Sequence, residues 1–343
     1  MPTWAQILKE VTDLQGTPNA LDVVRRKYLT QLYEYTGRET ISYVARWTTP
    51  APGMTSDLVT ITEEDMNGFM EVFHGLKSRK LDLILHSPGG SAEATEGLVS
   101  YIRSKFDDFR VVIPHAAMSA ATMMACASDK ILMGKHSFIG PIDPQIIATT
   151  QLGPQAIPAQ AILDQFELAK SDCRSPELLG AWAPILPQYG PALLVQAKES
   201  LDLATELVST WLAKYMLKTD LDPEKKAKEI AATLANHKLF KTHGRHINRV
   251  QARGFGLHID DLEKDQKLQD LVLSIFHSNI ITFNLTPTGK IIENHQGGAF
   301  IKWFAVPAQP QAVPPVGQPP EGTPAPPKQS PARGRPADQG RPS

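Results

Sequence analysis

The sequence lacks the features of several large classes of protein. Of its 343 residues only Cys126 and Cys173 are cysteines, too few for a disulfide framework. No stretch approaches the roughly 18 to 20 apolar residues that a membrane-spanning helix needs. The N-terminal segment carries acidic residues and has no uninterrupted apolar core, unlike a signal peptide. We therefore expect a protein of the reducing cytoplasm.

The chain also has no excess of charge of either sign. The chain has 35 lysines and arginines against 36 aspartates and glutamates, which gives no basis for nucleic acid or an anionic membrane as a partner. The paired glycines are not followed by the Lys-Ser/Thr of a phosphate loop, and neither G-x-G-x-x-G nor H-E-x-x-H occurs. We expect no cofactor and no metal ion.

The middle of the chain alternates short apolar strands with helices. "LDLILH" (81–86), "FRVVIP" (109–114) and "KILMG" (130–134) are predicted strands, and helices are predicted between them. Thr62 precedes three acidic residues and is placed to cap an earlier helix. Continuous apolar strands that alternate with helices indicate an α/β protein with a buried, largely parallel sheet.

Composition divides the chain into four parts. Residues 1–38 are predicted to be helical, and residues 39–270 contain the α/β pattern. Residues 271–306 alternate like a β-hairpin with its turn at 287–289. From Pro307 to the last residue, 343, the chain holds 12 of the 28 prolines and few large apolar residues, so we expect this tail to be disordered.

Two stretches contain residues suited to chemistry. In "LILHSPGGSAEA" (83–94), paired glycines after a buried strand permit a turn closed to other residues and leave N–H groups free. Ser119 follows an apolar strand and opens a small-residue helix. Its hydroxyl could cap that helix, or it could be a nucleophile at the positive end of the helix dipole.

These stretches resemble the serine peptidases of the Clp protease and signal peptide peptidase A (SppA) clan. The resemblance rests on "HSPGGSAEATEGLVSYIR" and "MSAATMMACASDKILMGKHSFIGPIDPQ". "GPIDPQ" (140–145) and "HGR" (243–245) are similar to stretches of the serine dehydrogenase proteinases (SDH), an SppA-like branch. The resemblance covers about residues 40–265 and implies a ClpP/crotonase-like fold, a parallel sheet of repeated β-β-α units with covering helices.

The resemblance also implies an activity. It predicts an ATP-independent serine endopeptidase, acting on peptides or unfolded proteins as a homo-oligomer, with residues 39–270 as the peptidase domain. Ser119 is then the nucleophile, and the backbone N–H groups of Gly90 and Ala120 form the oxyanion hole. Gly89 shapes the turn beside them.

The general base has more than one candidate. The SppA pattern places a lysine about fifty residues after the serine, where this sequence has Lys170. A lysine acts as a base only where apolar burial or nearby charge lowers its pKa. The Clp pattern uses a histidine and an aspartate, for which His136 and Asp143 are the alternative. His243 and Arg245 are interpreted as a subunit contact or a helix terminus.

Two other functions are compatible with such a sequence. A catalytically silent scaffold could recruit partners through the PxxP spacings of the proline-rich tail. An acyl-CoA enzyme of the crotonase type could use the same fold and a similar oxyanion hole. Such enzymes carry carboxylates in the cleft, whereas this sequence has Ser119 at the helix start.

Overall fold

Twelve short strands form three sheets in the computed structural model, which describes residues 2–14, 16–150 and 153–305. Within these residues the strands are β1 (Glu39–Ala45), β2 (Lys80–His86), β3 (Asp108–Ile113), β4 (Ala116–Ala117), β5 (Lys130–Met133), β6 (Phe138–Ile139), β7 (Gln145–Thr150), β8 (Gly153–Pro158), β9 (Ile247–Asn248), β10 (Ile259–Asp261), β11 (Thr288–Asn294) and β12 (Ala299–Trp303).

The helices of the same residues surround the sheets. They are α1 (Trp4–Asp13), α2 (Ala20–Thr36), α3 (Ser56–Val59), α4 (Asp65–Phe73), α5 (Ala92–Lys105), α6 (Ala120–Cys126), α7 (Ala159–Asp172), α8 (Pro176–Trp182), α9 (Leu193–Trp211), α10 (Pro223–Leu234), α11 (His237–Phe240), α12 (Arg249–Gly254) and α13 (Gln266–Leu285).

The principal sheet has the strand order β10-β5-β3-β2-β1-β11-β12. The first five strands are parallel, while β11 and β12 add two antiparallel strands at one edge. The prediction of an α/β protein with a largely parallel sheet is therefore confirmed. Because β2 and β3 are parallel neighbours, the loops that follow them leave the sheet at the same edge.

Each face of this sheet packs on its own set of helices. On β2, Leu83 and Leu85 face the core beneath α4, α5 and α6, while Ile84 faces α2 and α13. This alternation is the period-2 pattern of a strand, here apolar on both faces. The sheet is therefore buried on both sides, as its continuous apolar strands predict.

Two smaller sheets extend from this layer. In the sheet β4-β6-β9, Ala117 pairs with Ile139 in parallel, and Ile139 pairs with Ile247 in antiparallel register. The second is the β7–β8 hairpin, which packs with α7 and α9 around Ile146 and Ile162. We call residues 145–211 the arm.

Several predictions of local structure are wrong. The first part of residues 271–306, predicted as a β-strand, is instead the end of α13. The hairpin turn lies at 295–298, between β11 and β12, instead of at 287–289. The β7–β8 hairpin interrupts a region predicted to be mostly helical from residue 155. The prediction of a disordered tail at 307–343 lies outside the described residues.

The helices differ from membrane-spanning helices in length and composition. No single helix among the described residues is both long and apolar enough to cross a membrane. Two consecutive helical segments, with a bend of 70° between their axes, reach that length and composition only when they are taken together: Pro176–Gln188 and Leu193–Met216.

A buried ion pair joins the N-terminal helices to the edge of the sheet. Arg25 of α2 is fully buried, and its Nε donates to Glu293 of β11 at 2.9 Å. The same guanidinium donates to Thr282 of α13 at 2.9 Å. The ion pair therefore connects α2, α13 and β11 in the described part of the chain.

We predict that Arg25→Met lowers the free energy of unfolding by about 3 kcal/mol, because the buried Glu293 carboxylate keeps only the bond from the partly exposed Arg26 and Thr282 loses its donor. Urea unfolding followed by circular dichroism measures the change. Lys9→Met removes an exposed pair with Asp13 and should cost less than about 1 kcal/mol. Equal losses in the two variants would contradict this assignment.

Candidate active site

Ser119 adopts a backbone conformation that L-amino acids rarely occupy. Its φ of 51° and ψ of −121° correspond to the first central position of a type II′ turn, which normally requires glycine. Its side chain makes no capping hydrogen bond to α6, so the interpretation of Ser119 as a side-chain cap is wrong. Strain of this kind persists where neighbouring structure enforces it and is common at functional sites.

The paired glycines lie directly against this serine. A Cβ on Gly89 would be 2.6 Å from Met118 O and Ser119 Cβ, and 2.9 Å from Ala120 N. Gly89 also has a φ of +99°. Only glycine permits both the close approach and the dihedral, so the two stretches singled out in the sequence meet at this contact.

Two flanking segments hold the glycine turn in place. On one side, Ile61 N donates to Gly89 O at 2.7 Å and Ser91 N donates to Ile61 O at 3.0 Å. On the other side, Met118 N donates to Ser87 O at 3.0 Å. The turn is therefore bonded to the chain on both sides, and one of these bonds leads directly into the Ser119 loop.

Two N–H groups, those of Gly90 and Ala120, flank the contact between the glycine turn and Ser119. Among the described residues, no hydrogen bond is recorded from the backbone N–H of Gly90 or of Ala120. The Ala120 N–H is at the start of α6, where the first N–H groups of a helix have no internal partner. Gly89 connects the two groups, since it precedes Gly90 and contacts Ala120.

The start of α6 is tied to the "GPIDPQ" loop. Thr122 donates from Oγ1 to Ala117 O at 2.8 Å and accepts from Gly140 N at 3.0 Å. A Cβ on Gly140 would be 3.3 Å from Met118 Cα. The residues before and after Ser119 are thus packed against the loop that leads to Asp143.

The predicted bases make no recorded contact with Ser119 in the described residues. Lys170 lies on α7 with its side chain 56% exposed, and its Nζ donates to both carboxylate oxygens of Glu167 at 2.9 Å. His136 is exposed after β5, with its ring near Gly134. The apolar burial that a lysine base requires is therefore not provided at Lys170 by the single chain.

Asp143 has different partners from the one predicted. Its carboxylate is 1% exposed and accepts from His237 Nδ1 at 2.9 Å and from His243 Nδ1 at 2.8 Å. The predicted pair of Asp143 with His136 is therefore wrong. The "HGR" stretch was the available signal, but about a hundred residues separate His243 from Asp143, and no local pattern joins them.

Histidines at the carboxyl edge of the sheet form a separate aromatic cluster. The ring centroids of His86 and His115 are 5.3 Å apart, and both rings contact Phe276 of α13. Burial, with repulsion from His115, lowers the pKa of His86 to about 3. Burial also lowers the pKa of His115. These imidazoles are therefore neutral at pH 7, and His86 Nδ1 also lies within hydrogen-bond distance of Ala116 O, at 3.0 Å.

Comparison with known proteins gives the class of the site-bearing segment. Residues 59–176 match the model of a serine proteinase family, described as ClpP-like SDH-type serine proteinases. This segment, which is similar to that family, contains both Gly90 and Ser119. The resemblance and the ClpP-like fold predicted from the sequence are confirmed at this level.

Two uncharacterized proteins of Methanocaldococcus jannaschii are similar in sequence. MJ0137 is 29% identical over 201 residues, which are 58% of this chain and 60% of the relative. MJ1495 is 33% identical over 156 residues, which are 46% of this chain and 44% of the relative. The chain thus spans between about two fifths and three fifths of the length of these relatives.

Two solved structures of the membrane-bound stomatin-specific protease 1510-N are also similar. A serine-to-alanine variant is 15% identical with a TM-score of 0.26, covering 59% of this chain and 92% of that chain. A lysine-to-alanine variant in complex with a substrate peptide is 17% identical with a TM-score of 0.24, covering 56% and 82%. TM-scores this low support no conclusion about the site.

The dihedrals of Ser119 lead to a stability prediction. Ser119→Gly should raise the free energy of unfolding by about 1 kcal/mol, because glycine adopts positive φ without strain. Ser119→Ala should give no such gain, because alanine has the same Cβ. Urea unfolding of both variants tests this. A gain in the alanine variant equal to that in the glycine variant would show that backbone strain is not the cause.

Proposed function

We propose that the protein is an ATP-independent serine endopeptidase of the SppA-like type. The observation that supports this is the contact of Gly89 with the Ser119–Ala120 peptide, which places the glycine turn against Ser119, where the N–H groups of Gly90 and Ala120 have no acceptor among the described residues. Ser119 Oγ forms a bond to the peptide carbonyl carbon, and its proton passes to a base. The carbonyl oxygen becomes an oxyanion that accepts from both N–H groups.

The next steps complete the reaction. The base returns the proton to the leaving amine as the C–N bond breaks, and water then hydrolyses the ester on Ser119. Each oxyanion donor supplies about 3 kcal/mol in enzymes of this kind, because it is fixed before the charge develops. In this chain the donors are backbone groups held by Ile61 and by the start of α6.

We propose Lys170 as the base, with its burial supplied by self-association through the arm. The arm exposes large apolar side chains, including those of Ile147 (70%), Leu168 (54%) and Val195 (57%). Covering such a surface with a second copy would remove water from its neighbourhood and would lower the pKa of a lysine enclosed there. The proposed substrates are peptides or unfolded proteins in the cytoplasm.

A silent scaffold is the second candidate function. It is favoured by one observation, that the Ser119 hydroxyl makes no recorded hydrogen bond to a base among the described residues. In that case the strained serine and the glycine turn would be retained without a means of removing the proton from Oγ.

A fluorophosphonate probe distinguishes these functions. Ser119 Oγ should displace fluoride from phosphorus, and mass spectrometry should locate the adduct on Ser119 and find none in Ser119→Ala. Gly90→Ala should slow the labelling at least tenfold, because its Cβ would be 2.3 Å from Ile61 O and would displace one donor.

The matched control is Gly97→Ala. A Cβ there would be 3.6 Å from the flexible end of Met66, so labelling should match that of the wild type. Folded wild-type protein that acquires no adduct between pH 6 and 10 would refute the peptidase and favour the scaffold.

A second set of variants tests the base. Lys170→Ala should reduce the labelling rate about a hundredfold, the usual contribution of a positioned base. This reduction is expected under conditions in which sedimentation shows that the protein is an oligomer. Lys198→Ala on α9, another exposed arm lysine, is the control and should label normally. If His243→Gln loses labelling and Lys170→Ala labels normally, the base would instead belong to the cluster of Asp143, His237 and His243.

A further inference from the structure

A charged side chain is buried behind the glycine turn. Lys290 of β11 and Asp65 of α4 are both fully buried, and Lys290 Nζ lies 2.8 Å from each carboxylate oxygen of Asp65. The hydroxyl of Tyr43, on β1, donates to Asp65 Oδ2 at 2.8 Å. Burial, followed by the charge of Asp65, raises the pKa of Tyr43, which keeps this hydroxyl protonated as a donor.

This cluster holds the residues on either side of Ile61. Lys290 Nζ donates to Thr60 O at 2.6 Å, and Thr62 N donates to Asp65 Oδ2 at 3.0 Å. Thr62 therefore does not cap α4 with its side chain, as the sequence predicts, but is held through its backbone. Both peptide neighbours of Ile61 are thus fixed by one buried ion pair.

Ile61 in turn fixes the position of Gly90. Its N–H and its carbonyl bond to Gly89 O and Ser91 N, so the chain is held immediately before and after Gly90. A Cβ on Gly90 would be 2.4 Å from Ile61 N, which leaves no space for the turn to shift towards this segment. A displacement of Ile61 would therefore move the Gly90 N–H as well.

We infer that Lys290 and Asp65 are positioning residues that set the Gly90 N–H for the oxyanion through Thr60, Ile61 and Thr62. This inference rests on the proposed peptidase function. It assigns the buried ion pair to the geometry of the transition state, in addition to its contribution to folding. Neither side chain is proposed to touch the substrate.

The energetics of burial agree with this assignment. Desolvation lowers the pKa of Lys290 to about 8, against the opposing effect of Asp65. Buried ion pairs of this kind are often no more stabilising than apolar residues of the same volume. A function in positioning therefore accounts for their presence here better than stability alone.

The Arg25–Glu293 pair provides a matched control. Glu293 lies on the same strand as Lys290, both members of the pair are fully buried, and the recorded partners of Arg25 are Asp22, Thr282 and Glu293. Arg25→Met should therefore destabilise the protein as Lys290→Met does, without loosening the segment around Ile61.

The test combines amide hydrogen exchange with the rate of fluorophosphonate labelling at Ser119. Lys290→Met should speed exchange of the Ile61 and Ser91 amides and slow labelling at least tenfold more than Arg25→Met does. Faster exchange with unchanged labelling would overturn the inference. Failure of the wild type to label would refute the proposed function itself and is a separate result.

A double variant keeps the test independent of stability. Asp65→Asn combined with Lys290→Met removes both charges, so the free energy of unfolding should recover relative to Lys290→Met alone. The labelling rate should remain at least tenfold below that of the wild type, because Thr60 O still lacks its donor. Recovery of labelling together with stability would show that the ion pair acts only in folding. If Lys290→Met does not fold, the comparison is made between the double variant and the wild type.

Discussion

The contact between Gly89 and the Ser119–Ala120 peptide is the constraint on which the site depends. It joins the ends of β2 and β3, two parallel neighbours whose following loops leave the sheet at one edge. A side chain at position 89 would clash with the Ser119–Ala120 peptide and would separate these loops. The strained dihedrals of Ser119 and the crowding of small residues in both stretches follow from this single approach.

Behind this contact, the glycine turn is held by neighbouring buried structure. Ile61 bonds to both sides of Gly90, and the buried pair of Lys290 and Asp65 holds the segment that contains Ile61. The pair joins β11 to α4, so an element added at the antiparallel edge of the sheet contributes to a site formed at the ends of its parallel strands. Preorganised donors act in catalysis because they need not move when charge develops.

The sequence predicted what depends on local pattern. Gly90 and Ser119 follow strands whose three-residue apolar runs, at 83–85 and 111–113, are rich in branched side chains and are followed by turn residues, a pattern typical of buried strands. The positions of Asp143 and His243 depend on long-range pairing across β6 and β9, for which the sequence contains no periodic signal. Lys290 was missed for a related reason, since a lysine beside a turn residue is normally a sign of exposure.

A structure of the protein after reaction with a fluorophosphonate would test the proposed oxyanion hole. We expect a bond from Ser119 Oγ to phosphorus, with one phosphonate oxygen about 3 Å from the nitrogens of both Gly90 and Ala120. An adduct on Ser119 whose oxygens all point away from these two N–H groups would contradict this expectation, because the glycine turn would then have no part in stabilising the oxyanion.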